Sequence, residues 1–270
     1  MSQTVLARKW RPKFFPEIIG QDHVSKALSN ALNSGRLHHA YLFSGTRGVG
    51  KTTIARILSK CLNCERGVSA TPCGQCLSCK EIANDRFVDL IEVDAASRTG
   101  VDDMRDLLNN VQYLPARGRF KVYLIDEVHM LSKSSFAALL KTLEEPPEHV
   151  KFLFATTDHK KVPITILSRC LHFSLRAISA QKIAHHLKNV LENENVGFCE
   201  ESILSISKAA DGSVRDALSL TDQAIGIGGG SIDKSGVDAM LGSVEKYLLN
   251  DICEHIASND VTALLESIDK

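Results

Sequence analysis

The stretch Gly45-Thr46-Arg47-Gly48-Val49-Gly50-Lys51-Thr52 constrains this chain more than any other part of it. It fits G-x-x-x-x-G-K-[ST], a loop whose glycines let the backbone turn tightly and aim consecutive N–H groups at phosphate oxygens. Such a loop works between a strand that delivers it and a helix whose positive end faces the anion. Both flanks are present. Tyr41-Leu42-Phe43 is an apolar run of the length a buried strand needs, and Ile54, Ile57 and Leu58 recur at helical spacing. In that setting Lys51 reaches the β- and γ-phosphates of a nucleotide and Thr52 ligates Mg2+. The competing reading, an ordinary glycine turn before a helix, is disfavoured by these flanks.

Strands and helices alternate around the loop. Asp22 reads as the cap of a helix carrying Val24, Ala27, Leu28, Ala31 and Leu32, and Gly35 ends it. Apolar runs at 88–93, 120–125 and 151–155 read as strands. Val101, Met104, Leu108 and Val111 mark a helix, and Ser132 caps another, with Phe136, Leu139, Leu140 and Leu143, that Pro146-Pro147 stops. This alternation implies a parallel sheet with helices on both faces. Residues 8–20 have no clear period and read as an irregular arm packed on the core. Beyond about residue 178 the strand signals vanish, and 179–193, 200–210, 213–225 and 233–241 read as helices of a small lid domain. A further helical pattern begins near Glu245 and is still running at Lys270 with no cap or breaker, so a third domain is expected there.

A chain of 270 residues, 44% of them hydrophobic, suffices for about two packed domains. Lys+Arg and Asp+Glu both number 32, so no net field draws the protein to nucleic acid or to an anionic membrane, and any nucleic-acid contact must come from a local patch. No apolar run approaches the roughly 20 residues of a membrane span, and the N-terminus lacks a signal-peptide core, so a cytoplasmic protein with no membrane partner is expected.

Asp126-Glu127 closes a strand, where side chains at the carboxyl edge of a parallel sheet meet the ligand crevice. With a phosphate loop upstream, Asp126 reads as a Mg2+ ligand and Glu127 as the group that polarises water. Thr156 and Thr157, at the tip of a neighbouring strand, either orient that water or merely satisfy a strand end. Of eight cysteines, Cys170, Cys199 and Cys253 are scattered, and Cys61 falls on the apolar face of the helix after the loop. Cys64-x8-Cys73-x2-Cys76-x2-Cys79 offers the four thiolates of a closed, structural zinc site. An iron–sulfur cluster uses similar spacing, although no Cys-Pro completes that run, and free thiols are a third reading. Ser168-Arg169-Cys170 and Gly212-Ser213-Val214-Arg215-Asp216 each set an arginine among small residues, either as a surface group or as a finger for phosphate charge. No [NT]-K-x-D segment occurs, which points to adenine as the base.

Together, Gly45 to Thr52, the four cysteines, Asp126-Glu127-Val128-His129, Leu143-Glu144-Glu145-Pro146-Pro147, Ser168-Arg169-Cys170 and the run from Arg215 to Ala224 closely resemble the γ/τ subunits of the bacterial DNA polymerase III clamp loader, which are AAA+ ATPases. The resemblance implies an α/β AAA+ domain at 1–178 with a zinc module at 61–80, a helical lid at 179–242 and the start of an oligomerising collar at 243–270. It implies that Lys51 and Thr52 bind the phosphates and Mg2+, that Asp126 and Glu127 serve hydrolysis, and that Thr157 senses the nucleotide. Arg215 would reach the nucleotide from the lid, Arg169 would act in the neighbouring subunit's site, and Ala7 and Arg11 would lie on the adenine side. The implied cofactors are ATP, Mg2+ and structural Zn2+. The implied partners are other clamp-loader subunits in a hetero-pentamer, the sliding clamp and primer-template DNA, within a DNA polymerase holoenzyme. Two alternatives remain: another AAA+ DNA-processing motor, or a structural clamp-loader subunit that does not respond to nucleotide.

Overall fold

The computed structural model describes residues 5–97, 101–242, 254–258, 260, 261 and 265. Five strands, β1 (Ala40–Ser44), β2 (Leu90–Asp94), β3 (Lys121–Asp126), β4 (Val150–Thr156) and β5 (Leu171–Ser174), form one sheet in the order β2-β3-β4-β1-β5. Every neighbouring pair is parallel. β1 and β4 are buried along their whole length, which is why their sequences are nearly continuous apolar runs.

Successive side chains of a strand point to opposite faces, and the core divides accordingly. Tyr41, Phe43, Val122, Leu124 and Leu153 pack against α2 (Asp22–Asn33) and α3 (Lys51–Asn63), through Val24, Leu28, Ile54 and Leu58. Leu42, Tyr123, Ile125, Phe152 and Phe154 face the other way. There they meet Met104 of α5 (Val101–Asn109), Phe136 and Leu139 of α6 (Lys133–Glu144) and Ile166 of α7 (Ile164–Leu167). A separate core joins α8 (Ala180–Glu194), α9 (Glu200–Ala209), α10 (Val214–Ile227) and α11 (Lys234–Leu241) through Ile183, Leu187, Ile206 and Leu218.

The arm before the sheet is not wholly irregular. Its first part is α1 (Leu6–Lys9), with Leu6 buried in the lid core and the Leu6 N–H donating to Asp222 at 2.9 Å. Trp10 Nε1 donates to Glu194 at 2.7 Å, whereas Phe15 and Ile18 enter the sheet core, so the arm straddles both units. Asp22 does not cap α2. It is the first helical residue, and Gln21 precedes it. The buried Gln21 amide instead grips the segment between sheet and lid, donating to the Arg176 carbonyl at 2.7 Å and accepting the Arg176 N–H at 3.1 Å.

Three further differences have local causes. The strand expected at 88–93 begins at Leu90, because Val88 is 61% exposed and Asp89 accepts the N–H groups of Ala116, Arg117 and Gly118. Strand pairing also continues past residue 178, where β6 (Gly197–Phe198) and β7 (Ser231–Ile232) form a two-residue parallel pair too short to leave a period. A seven-residue helix, α4 (Leu77–Ala83), lies inside the cysteine segment. The helical pattern from Glu245, together with Cys253, lies mostly outside the described residues.

Candidate nucleotide site and metal centre

β1 delivers the glycine loop at the carboxyl edge of the sheet, and Gly50, at φ 103, turns the chain directly into α3. Gly48 is needed for a different reason. It lies at φ 75, and a Cβ there would sit 1.9 Å from Ser213 Oγ, so the lid rests directly on the loop. That same Ser213 Oγ accepts the Asp216 N–H at 3.1 Å and thereby caps α10.

Lys51 is 6% exposed and its Nζ donates to the Gly45 and Thr46 carbonyls, both at 2.9 Å. Burial pushes its pKa down, and the nearby Glu127 and Asp126 carboxylates oppose that shift. Thr52 Oγ1 donates to Asp126 Oδ2 at 2.7 Å, bringing together the two side chains expected to share a metal. Glu127 follows in the left-handed region at φ 47, a conformation that costs on the order of 1 kcal/mol and re-aims the side chain. Its Oε2 accepts the Thr157 N–H at 3.0 Å and Thr157 Oγ1 at 2.8 Å, and lies 3.3 Å from His129 Nδ1. His129 Nδ1 is in turn 2.9 Å from Thr156 Oγ1.

Lys51, Thr52, Asp126 and Glu127 border a cavity of about 530 Å3 between sheet, lid and arm, whereas Thr157 does not line it and reaches it through Glu127. Of the residues nominated for a nucleotide, 47–52, Ala7, Arg11, Asp126, Glu127 and Arg215 line it, while Gly45 and Thr46 stand behind it with their carbonyls on Lys51. Arg11 has its pKa lowered by burial first and then by the Arg56 guanidinium, with Asp85 and Glu92 opposing. Arg169 is not brought to this cavity. It lies beyond α7 with Nη2 on Glu144 Oε1 at 2.8 Å and Nη1 on the Thr165 carbonyl at 2.8 Å.

Sequence reasoning missed Ile18, Ile178, Leu218, Arg56 and Asp85, which also line the cavity. Leu218 stands three residues after Arg215 and Arg56 four after Thr52, so helical spacing from a known site residue reaches both. Asp85 carried no such signal.

The four cysteines converge elsewhere. Cys64 follows α3, Cys76 caps α4 and Cys79 lies within it. The Sγ atoms of Cys64, Cys73, Cys76 and Cys79 all lie within 4.8 Å of one another, whereas a tetrahedral zinc with Zn–S bonds of about 2.3 Å sets them roughly 3.8 Å apart. The Cys73, Cys76 and Cys79 N–H groups each donate to the preceding cysteine's sulfur, at 3.4, 3.3 and 3.4 Å. The Cys76 N–H, with the Gln75 N–H second, holds the Cys73 thiol down at about 6, which favours the thiolate a metal needs. The donor set therefore fits a closed zinc site. Cys61 is outside it, and burial pushes its thiol up to about 12.

The fold is shared with the RuvB Holliday junction branch migration motor of Thermotoga maritima, at 21% identity and a TM-score of 0.64 over 92% of this chain and 79% of that one. A profile described as DNA polymerase III, delta subunit, matches residues 20–179, and one described as the DNA polymerase III clamp loader subunit, ATPase lid domain, matches 182–230. Fold and site define an AAA+ P-loop protein with its helical lid. The chain is 64% identical to the Escherichia coli DNA polymerase III subunit tau over 91% of its own length and 38% of that protein's. It is 54% identical to the Buchnera aphidicola subunit gamma over 99% of its own length and 75% of that protein's. It belongs to the gamma/tau subunit family of bacterial DNA polymerase III, and it spans about two fifths to one half of the tau subunits it matches.

Proposed function

We propose that this chain is the ATP-binding and ATP-hydrolysing part of a clamp-loader motor subunit. In a hetero-pentamer it would open a ring-shaped sliding clamp and leave it on primer-template DNA in the cytoplasm. One observation carries the reading: a buried lysine, a threonine–aspartate pair, a strand-end glutamate and a lid arginine meet at one cavity.

Lys51 would exchange its two loop carbonyls for phosphate oxygens, and the loop N–H groups would hold the remaining charge. Mg2+ held by Thr52 and Asp126 would supply charge neutralisation at the β- and γ-phosphates. Thr157 orients the Glu127 carboxylate through two hydrogen bonds, and that carboxylate would accept a proton from the attacking water. Arg215 is the second residue of α10, at the lid's edge of the cavity, so it can register the phosphates and draw the lid down. Ala7 and Arg11 stand on the arm and line the cavity with Ile18, Ile178 and Leu218, which would give adenine an apolar surface. Arg169, held outside its own cavity, is available to a neighbouring subunit. Cys64, Cys73, Cys76 and Cys79 would hold a structural Zn2+. We assign residues 1–178 to the nucleotide-binding domain, with the zinc module at 61–80, 179–242 to the lid, and 243–270 to the start of a collar.

Titration with fluorescent ATP and Mg2+ tests the site, and capture of the sliding clamp by the full-length protein tests the partner. Saturable one-to-one binding of ATP and retention of the clamp are expected. A chain that binds no nucleotide overturns the motor reading.

A further inference from the structure

The chain that leaves the cysteine segment reaches the wall of the nucleotide cavity. α4 begins after Cys76 and contains Cys79, and just past its last residue, Ala83, the chain turns through Asp85 at φ 59. Asp85 lines the nucleotide cavity, and its carboxylate pairs with Arg56 Nη1. Arg56 lines the cavity too. Its side chain is 13% exposed, Nη2 takes Glu92 at 2.6 Å, and Nε is buried with no hydrogen-bond partner. A second contact runs on the other side of the cysteines. Gly74 lies between Cys73 and Cys76, and a Cβ there would come within 3.0 Å of the Phe14 ring. Phe14 belongs to the arm that supplies Arg11 and Ile18 to the cavity.

The charges give this wall an energetic consequence. Arg11, Arg56 and Arg215 all reach one cavity, and Asp85 and Glu92 are the carboxylates that offset the repulsion Arg11 feels from Arg56. Moving Asp85 away would leave a largely buried guanidinium with one partner fewer and raise that repulsion. α4 has only seven residues, too few to hold its own shape. Its first turn is fixed by Cys76 and Cys79, so whatever bridges those thiols also fixes where Asp85 stands.

We propose that metal at Cys64, Cys73, Cys76 and Cys79 and nucleotide at the P-loop cavity bind with positive coupling, transmitted through Asp85 to Arg56 and through Gly74 to Phe14. The proposal rests on the cavity being a nucleotide site, as argued above. It makes the cysteine segment a part of the nucleotide site and not only a local staple. By linkage the effect is reciprocal: nucleotide must retain metal by the same factor by which metal tightens nucleotide.

The test uses the zinc-loaded protein and follows transfer of zinc to a chromophoric chelator with and without saturating ADP. ADP should slow zinc release and, at equilibrium against the chelator, tighten zinc binding by the same factor, about tenfold, by which removing zinc weakens ADP binding, within the usual range for coupled sites. The double variant Phe14→Ala, Asp85→Asn keeps all four thiols. It should retain one zinc, bind ADP as weakly as the zinc-free protein, and release zinc at the same rate with or without ADP. Zinc release indifferent to ADP in a wild-type protein that does bind ADP overturns the coupling alone. Full coupling in the double variant overturns the route through Asp85 and Phe14. Absence of any ADP binding by the zinc-loaded protein overturns the nucleotide reading and the coupling with it.

Discussion

Lys51 ties its own loop together, because a buried ammonium must have acceptors and the Gly45 and Thr46 carbonyls are within 2.9 Å. Lys51→Ala removes the charge that a triphosphate would meet, and Thr52→Ala removes the hydroxyl beside Asp126. Each variant should stay folded and lose Mg-ATP affinity by about tenfold or more, the scale of a hydrogen bond to a charged group. Fluorescent-nucleotide titration checks this, and undiminished affinity in both would dismiss the P-loop assignment. Gly48 makes a different demand. An added Cβ would sit 1.9 Å from Ser213 Oγ at a backbone φ of 75, so Gly48→Ala forces the lid off the loop. ATP affinity should fall in that variant, both because the lid loses its seat and because the strained turn re-aims the loop N–H groups.

At the scale of elements, the chain was legible wherever burial repeats. β1, β3 and β4 lie inside the sheet and announce themselves as apolar runs, and Ser132 caps α6 as expected through a hydrogen bond from Ser135 N–H. β5 is at the sheet edge with three of its four residues exposed, and α7 has four residues, so neither leaves a hydrophobic period. Asp89 shows how an element end is fixed by a distant loop. Its carboxylate is 2% exposed and accepts three backbone N–H groups at 2.7, 2.8 and 2.7 Å. Asp89→Ala leaves those donors unpaired and should lower stability by about 3 kcal/mol, seen as a lower urea midpoint with an unchanged slope. The cysteine segment gives a sharper contrast between neighbours. Cys64→Ser or Cys76→Ser should lose zinc and loosen α4, whereas Cys61→Ser, which changes only a buried thiol in the sheet core, should retain one zinc per chain by elemental analysis. Zinc lost from the Cys61 variant would reassign the ligands.

On the scale of the whole molecule, the position of Arg169 decides what the chain can do alone. It is paired with Glu144 outside the cavity that holds Lys51, so under the proposed function an isolated chain would offer a cradle for ATP without a finger at the γ-phosphate. ATP should bind to the chain and turn over slowly. Assembly of a longer, collar-containing protein with its partner subunits should raise the rate per site by about 10^3 to 10^5, and Arg169→Ala should remove most of that gain with ATP affinity nearly unchanged. A lone chain that hydrolyses ATP as fast as the assembly would rule out action between subunits. The phosphate loop, the acid pair and the four cysteines were readable from the sequence because each is a local pattern whose chemistry needs fixed spacing. Which distant groups face them was not. Ala7, Arg11, Asp85 and Arg215 meet in one cavity only because α1 docks on the lid, Gln21 grips Arg176, and α4 carries Asp85 to Arg56. Contacts between residues so far apart in the chain have no period to betray them, so the packing of arm, sheet and lid alone decides them.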